Sequence, residues 1–549
     1  MKASDLFVRC LEEEGVEYIF AVPGEENLDV VESLRTSSIQ LVVTRHEQHA
    51  AFMAATYGRL TGKAGVCMST LGPGATNLLT GLAYAQLCGV PLVAITGQKG
   101  IKNNWQGNFQ IVDVVGTFKP VTKWNHQITS SSTIPRFVRH AFKVAEDERP
   151  GATHLELPED IADEQTKDLA PFPRVRVRRP IPDEKAIEGA IQLIRSAKTP
   201  LVLLSAGANR KRVGKQLVTF MEKLGIFAVS TQMGKGVVSD AHPQSLFCLG
   251  IHKKDYVHAA IEAADLIITI GYSIVEYPPF VWNSRKDKRI LHLDYRIAEP
   301  DEFYSPDVEL IGDVSAALWA IHSRMAVDDR FDTTRMANIR SALDERLHCV
   351  PPNKSFPPGP RQIVHAVREA LDDEDIICLD NGIYKLWFAR MYQSYSDNTV
   401  LLDNALATMG AGLASAMAAK LVVPEQKVVA ICGDGGFMMN SQDLETAVRL
   451  RQDLVILLLR DEGYGFIRWK QQGMGFEEFG MSFGNPDFVK YAEAYGATGI
   501  RVTESLGLSE ALRRAFEVKG PVLIDCPIDY SDNALLSQDV SQELQDLMK

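Results

Sequence analysis

Asp434 and Asp461 each close an apolar run, and one helix-length segment separates them. Asp434 stands in Gly433-Asp434-Gly435-Gly436, directly after Lys427–Cys432, and Asp461 directly follows Leu454–Arg460. Between them, Gln442 to Arg451 carries apolar Leu444, Val448 and Leu450 and reads as a helix. In a βαβ unit the two strands are parallel, so both carboxylates emerge at the same edge of the sheet. That edge is where open α/β sheets bind ligands. The glycines let backbone N–H groups approach a phosphate, whose charge a following helix N-terminus favours. Two carboxylates beside a phosphate imply a hard cation, most simply Mg²⁺. A tight turn would account for Gly-Asp-Gly alone; the second aspartate on a second strand favours the clamp.

Other residues with chemical potential lie far from this pair. Glu47, in Thr44-Arg45-His46-Glu47-Gln48, opens a helix predicted over Gln48–Leu60. A carboxylate in a first helical turn is favoured by the helix dipole, and that alone would place it there. Leu71-Gly72-Pro73-Gly74-Ala75-Thr76-Asn77 reads as a turn into another helix, and Phe109-Gln110 as a loop. Lys99 and Lys102 could attract a carboxylate, although solvated lysines are the simpler reading. Met409, in Leu406–Gly412, would ordinarily be a core side chain.

The elements that position these residues alternate along the whole chain. Apolar strand runs interleave with helical patterns, the sign of α/β layers with parallel sheets. Block one, 1–165, has strands expected at Tyr18–Val22, Gln40–Thr44, Gly65–Ser69 and Pro91–Thr96. A Pro- and Arg-rich linker follows at 170–180. Block two, 185–325, has strands at Leu201–Ser205, Ala228–Ser230, Leu266–Ile270 and Ile290–Leu293. Block three, 361–530, has strands at Ile376–Leu379, Val400–Leu402, Val428–Cys432 and Leu454–Leu459, then a tail at 531–549. Blocks one and three have the similar size and alternation of duplicated domains.

The 549 residues suit three or four domains, and 46% hydrophobic with 23% charged residues is an ordinary globular balance. A net charge of −12 argues against nucleic acid or an anionic membrane as the main partner. No apolar run approaches a membrane span and no signal peptide is visible. The eight cysteines are scattered without a Cys-x-x-Cys pair, as expected of buried thiols in a cytoplasmic protein.

Gly433-Asp434-Gly435, Asn440 and Asp461-Glu462-Gly463 together resemble the diphosphate motif of thiamine-diphosphate (ThDP) enzymes. Nearly the whole chain resembles the catalytic subunit of the acetolactate synthase family. The supporting segments are His46-Glu47-Gln48, Gly72–Asn77, Pro120–Lys123, Met233–Gly236 and Gly433–Asn440. Ile270–Tyr277, Asp529–Asn533 and the use of aspartate at 461 are closer to the FAD-free, catabolic-like branch. The resemblance implies three doubly wound parallel-sheet domains: pyrimidine-binding, central Rossmann-like and diphosphate-binding. It assigns Glu47 to the pyrimidine N1′ of the cofactor, favouring the imino form that deprotonates the thiazolium C2. Gln110 becomes a neutral donor near substrate, and Gly72 and Asn77 part of an active-site loop. Met409 becomes a wedge between the cofactor rings, with the Ala407 carbonyl and Met409 N–H on the aminopyrimidine. Ile383 and Tyr384 fall where the family lays a loop on the diphosphate, through backbone contacts here because the usual side chains differ. Gly433, Asp434, Gly435, Gly436, Asp461, Gly463 and Tyr464 form the diphosphate site, with Asp434, Asp461 and the Gly463 carbonyl on Mg²⁺.

FAD is not expected. Gly271–Tyr277 lacks the arginine that would serve its phosphate, and block two lacks Gly-x-Gly-x-x-Gly. Glu26 stands where the catabolic branch has a lysine near the substrate carboxylate, so repulsion is expected there. The implied activity is decarboxylation and carboligation of a small 2-oxo acid, with two pyruvate giving 2-acetolactate and CO₂. The alternative is a non-ligating decarboxylase of another 2-oxo acid, for example 2-oxoglutarate, releasing an aldehyde. A remoter alternative is an inactive binding or regulatory protein on the same fold. The family assembles at least as homodimers, here expected to pair into a homotetramer, because Glu47 and the clamp must meet at one cofactor.

Overall fold

The computed structural model describes residues 1–102, 109–175, 179–209, 213–250, 255–348, 355–504 and 506–536. Three six-stranded sheets account for its strands, and every pair of neighbours within them is parallel. Each is α/β, with helices interleaved between strands. The first runs in the order Gln40–Val43, Tyr18–Val22, Gly65–Ser69, Leu92–Gln98, Ala152–Pro158, Trp124–Gln127. The third runs Val400–Leu401, Ile376–Leu379, Val428–Gly433, Val455–Arg460, Val522–Pro527, Thr498–Arg501. These two orders are the same, 2-1-3-4-6-5 within each block, which is what duplicated domains would show. The central sheet differs: Val308–Ile311, Arg289–Asp294, Leu266–Ile270, Pro200–Leu204, Phe227–Ser230, Ser245–Cys248.

The middle strands carry the unbroken apolar runs that parallel sheets require, because helices cover both faces. Val455 to Leu459 are all essentially buried, as are Val428 to Cys432. The strands not expected from sequence in the two outer blocks, Trp124–Gln127 with Ala152–Pro158 and Thr498–Arg501 with Val522–Pro527, are short or carry polar residues. In Ala152–Pro158, His154 Nε2 pairs with Thr96 Oγ1 at 2.8 Å, and Glu156 accepts from Gln98 and Gln127, each at 2.9 Å. In Val522–Pro527, Asp525 is held by Arg460 and Arg501.

The helix opened by Glu47 spans Glu47–Thr61 and is apolar on nearly every side. It is a core helix, packed against Gly72–Cys88 of its own block and Gly412–Val422 of the third. Small residues permit this: a Cβ on Gly81 would overlap that of Ala51. Across the blocks, Thr56 Oγ1 donates to Ser415 Oγ at 3.0 Å, and Arg45 N–H donates to Asp443 at 2.9 Å. Blocks one and three therefore share one apolar core.

Among the described residues no helix is long and apolar enough to cross a membrane, and the seven described cysteines are free and buried. The expected tail begins with an ordered turn, Ser531–Leu536, where Asn533 accepts from Trp387 Nε1 at 2.8 Å; residues 537–549 lie outside the described residues. Part of the expected 170–180 linker, 176–178, also lies outside them, and the rest has no regular structure.

Replacing Gly81 by leucine should force the two helices apart and cost about 1–3 kcal/mol or more, as overpacking does. Urea unfolding of Gly81→Leu against Gly81→Ala checks this, the alanine variant losing less.

Candidate functional site

In sheets of this order the ligand crevice lies where the chain leaves two neighbouring strands in opposite directions. In block three those strands are Ile376–Leu379 and Val428–Gly433, so the crevice is walled by Asp380–Gly382 and Gly433–Gly435. The equivalent walls in block one are Pro23–Asn27 and Thr70–Gly74.

The expected helix Gln442–Arg451 is not one helix starting after the glycines. A helix begins at Asp434 itself and runs to Asn440, a 3₁₀ turn covers Ser441–Asp443, and a second helix covers Leu444–Arg449. Gly433 is extended and caps the helix, so Gly435 and Gly436 lie in its first turn. A Cβ on Gly436 would lie 2.5 Å from Asp380 Oδ2, so bare backbone is required there.

Asp434 is buried and accepts three hydrogen bonds: from its neighbour Gly435 N–H (2.8 Å), Glu462 N–H (2.7 Å) and Asn485 Nδ2 (2.8 Å). Asn485 carried no signal in the sequence beyond a Gly-Asn-Pro turn; only the fold brings it here. Burial raises the pKa of Asp434, while these donors oppose the rise. Asp461 is pushed up to about 7, first by burial and then by the charge of Asp434. Its Oδ2 is buried without a hydrogen-bond partner, and the Arg468 guanidinium is 3.6 Å away. Glu462 sits at a positive φ of 56° with its N–H on Asp434, and Gly463 pairs with Ser482 in a β-bridge whose hydrogen bonds run from Tyr464 N–H to the Met481 carbonyl (2.9 Å) and from Phe483 N–H to the Glu462 carbonyl (3.2 Å). Two carboxylates, one with an unsatisfied oxygen, suit a hard cation that takes its other ligands from a diphosphate and water.

Tyr384 enters by its side chain rather than its backbone. Its buried hydroxyl accepts from Gly433 N–H at 2.9 Å, and its ring lies against Gly382 and Gly433. Ile383 is buried in the same helix, Ile383–Met391. Tyr464 packs edge-on against Phe483, over Gly435.

The loop with Ala407 and Met409 is gripped at both ends by buried carboxylates. Asp403 accepts from the N–H groups of Ala405 and Ala407, each at 2.7 Å, and Asp380 accepts from Gly410 N–H at 2.9 Å. Burial pushes Asp380 up to about 6 and the adjacent Lys385 down to about 8. Ala407 is held at a positive φ of 54°, and Met409 is half-buried rather than a core side chain. Asn440 Nδ2 reaches the Gly410 carbonyl (2.9 Å) and Gln48 (3.1 Å), tying this loop to the residue beside Glu47.

Glu47 is buried at its helix N-terminus, and its Oε2 accepts from Asn77 Nδ2 at 2.9 Å. Gln110 is exposed, but its backbone abuts Gly72, so Gly72, Asn77, Gln110 and Glu47 form one cluster. Of the two lysines, Lys99 departs from the solvated reading, while Lys102 stays exposed. Lys99 is largely buried and pairs with Glu26 at 2.6 Å; Lys102 pairs with Glu164. Glu26 also accepts from Thr70 Oγ1, so it is a compensated charge and not the bare repulsive one expected from sequence.

The thiamine pyrophosphate enzyme family matches through its N-terminal TPP binding domain at 1–117, its central domain at 187–321 and its C-terminal TPP binding domain at 363–526. An acetolactate synthase of Bacillus subtilis is 37% identical, over 100% of this chain and 97% of that protein. A catabolic acetolactate synthase of Raoultella terrigena is 36% identical, over 97% of this chain and 96% of that protein. A chloroplastic acetolactate synthase of Nicotiana tabacum is 32% identical over 97% of this chain. The chain belongs to the thiamine pyrophosphate enzyme family and is an acetolactate synthase-like, ThDP-dependent enzyme.

In the cation-free protein the raised pKa of Asp461 makes its charged form costly to the fold. That cost is absent below the unfolded value of about 4 and fully present above about 7, so stability falls as pH rises through this window. A cation must displace the same proton. Mn²⁺ affinity, measured by calorimetry, should therefore weaken about tenfold from about pH 8 to about pH 6. Asp461→Asn should bind weakly at both values.

Proposed function

We propose that this enzyme decarboxylates a small 2-oxo acid with ThDP and Mg²⁺ and joins the product to a second molecule, converting two pyruvate to 2-acetolactate and CO₂. The observation that carries this reading is a pair of half-sites, one on each outer block. Asp434 and Asp461 offer carboxylates at one crevice, and the Asn77-oriented Glu47 offers a carboxylate at the other. When bound, ThDP supplies the electron sink that lets a 2-oxo acid release CO₂.

The chain's own residues do the rest. Asp434, Asp461 and the Gly463 carbonyl would hold Mg²⁺, and the helix turn after Gly435 would present N–H groups to the diphosphate. Asn77 fixes one oxygen of Glu47, leaving the other to take and return a proton at the pyrimidine N1′. Met409 and Ala407, braced by Asp380 and Asp403, would support the rings. Gln110 would donate to substrate. Glu47→Gln should still bind ThDP, with C2 proton exchange and turnover reduced by roughly 10²–10⁴-fold. Near-normal exchange by NMR would remove Glu47 from this role.

A second reading, simple decarboxylation to an aldehyde, is favoured by Glu26. The Glu26–Lys99 pair puts no net charge at the crevice where a lone lysine would attract a carboxylate. A panel of 2-oxo acids, scored separately for CO₂, aldehyde and acetolactate, separates the two. Acetolactate from pyruvate supports ligation; aldehyde with stoichiometric CO₂ supports the second reading. The same preparation is expected to be colourless and fully active in flavin-free buffer.

We also propose a homodimer as the minimum unit, paired into a tetramer, in the cytoplasm. Apolar side chains are exposed near both crevices in the isolated chain: Phe109 and Ile111 beside Gly72, and Met474, Phe476 and Phe479 after the helix Gly465–Gly473, which buries no residue of its own. Such surface suits an obligate interface. Refolding Glu47→Gln with Asp434→Ala subunits should recover activity in mixed dimers, since one of their two shared sites is intact. A fully active monomer by ultracentrifugation would contradict the shared site.

A further inference from the structure

The central sheet has its own crevice, and the chain fills it with one of its own carboxylates. The order of that sheet reverses between Leu266–Ile270 and Pro200–Leu204, so the crevice opens between the segments that follow them. There the backbones touch: Gly207 N–H donates to the Gly271 carbonyl at 2.9 Å, and a Cβ on Gly207 would lie 2.8 Å from Gly271 Cα. Glu276 comes back from the second segment and is buried between them. Its Oε2 accepts from Ser205 Oγ (2.6 Å) and Ala206 N–H (3.3 Å), and its Oε1 accepts from Met233 N–H (2.7 Å). Ser205, Ala206 and Met233 lie just beyond the carboxyl ends of two adjacent strands, Pro200–Leu204 and Phe227–Ser230. Backbone N–H groups and a hydroxyl converging at this edge are the donor set that a doubly wound sheet offers to a ligand's phosphate.

The same turn reaches the site. Gln232, next to Met233, is buried, and its Oε1 accepts from Asn404 Nδ2 at 2.9 Å. Asn404 begins the loop whose next residues are pinned by Asp403 and which carries Ala407 and Met409. Met233 packs into the apolar core shared by blocks one and three.

We propose that Glu276 is a built-in anionic ligand of the central domain: it occupies the phosphate position of that crevice and, by holding the Thr231–Gly234 turn, sets Gln232 against Asn404 and so positions the Ala407–Met409 loop. Glu276 is thus a positioning residue, two hydrogen-bonded steps from the loop. The donors it consumes are no longer available to a nucleotide diphosphate. Burial raises its pKa, and the Ser205 hydroxyl with the two N–H groups works against that rise. The link to the loop rests on the ThDP reading above; the anion site does not.

The test uses full-length Glu276→Ala and Glu276→Gln. Thermal unfolding is followed without ThDP, in sodium formate against sodium chloride at equal ionic strength. ThDP affinity in Mg²⁺ is followed by tryptophan fluorescence. Glu276→Ala should melt lower than wild type, and formate, not chloride, should restore both melting temperature and ThDP affinity. Glu276→Gln keeps the volume and sets an amide N–H against the Ala206 N–H. It should fold, bind ThDP roughly tenfold more weakly, as loss of a supporting contact does, and gain nothing from formate. The proposal is overturned if folded Glu276→Ala gains no more from formate than from chloride, or if Glu276→Gln matches wild type in both melting and ThDP affinity. If Glu276→Ala does not fold, Glu276→Gln decides alone. Formate rescue of melting without recovery of ThDP affinity would overturn the coupling to the loop and leave the ThDP reading standing.

Discussion

Two adjacent parallel strands hold Asp434 and Asp461 side by side, and this enforced proximity of like charges governs the architecture around them. Burial and mutual repulsion both favour protonation, so the pair is costly without a cation. The fold meets the cost unequally. Asp434 receives three donors, while Asp461 keeps a buried oxygen unsatisfied. A site that stabilised both carboxylates fully would have little to gain from a metal. The strained φ of Glu462 belongs to the same economy, since it brings an N–H to Asp434.

A similar logic runs through the loops. The turn carrying Ala407 and Met409 has no regular structure of its own, so its N–H groups need partners, and buried Asp380 and Asp403 supply them. Glu276 does the equivalent in the central block. Three buried acids therefore hold two loops at carboxyl ends of parallel strands: Asp380 and Asp403 the Ala405–Gly410 loop, and Glu276 the Thr231–Gly234 turn. Hydrogen-bond donors surround their charges, and the buried Lys385 ammonium lies near both Asp380 and Asp403, donating to the Asp403 carbonyl.

The two outer blocks share one strand order but use it differently. In block three the crevice presents acids, suited to a cation and a diphosphate. In block one it presents Glu47 and a neutralised Glu26–Lys99 pair, suited to a proton and a small, weakly charged group. The Ala-rich helices Glu47–Thr61 and Gly412–Val422 pack the blocks together, so the fold can hold Glu47 rigidly although it lies nearly 400 residues from the clamp in sequence.

Local spacing in the sequence determined the block order, the middle strands and the acids at their ends, because apolar runs and glycine turns are written in consecutive residues. It also brought Asp434 and Asp461 to one sheet edge, whereas only the resemblance to a known family singled out Glu47. It could not show that Lys99 neutralises Glu26, that Asn485 reaches Asp434, or that Tyr384 works through its hydroxyl on Gly433. Nor could it show strands such as Ala152–Pro158 and Val522–Pro527, whose polar residues find partners on neighbouring strands. Each of these depends on side chains meeting across tens to hundreds of residues. Pairing of buried charges and donors is settled by which elements the tertiary fold sets face to face, and no local pattern encodes that choice.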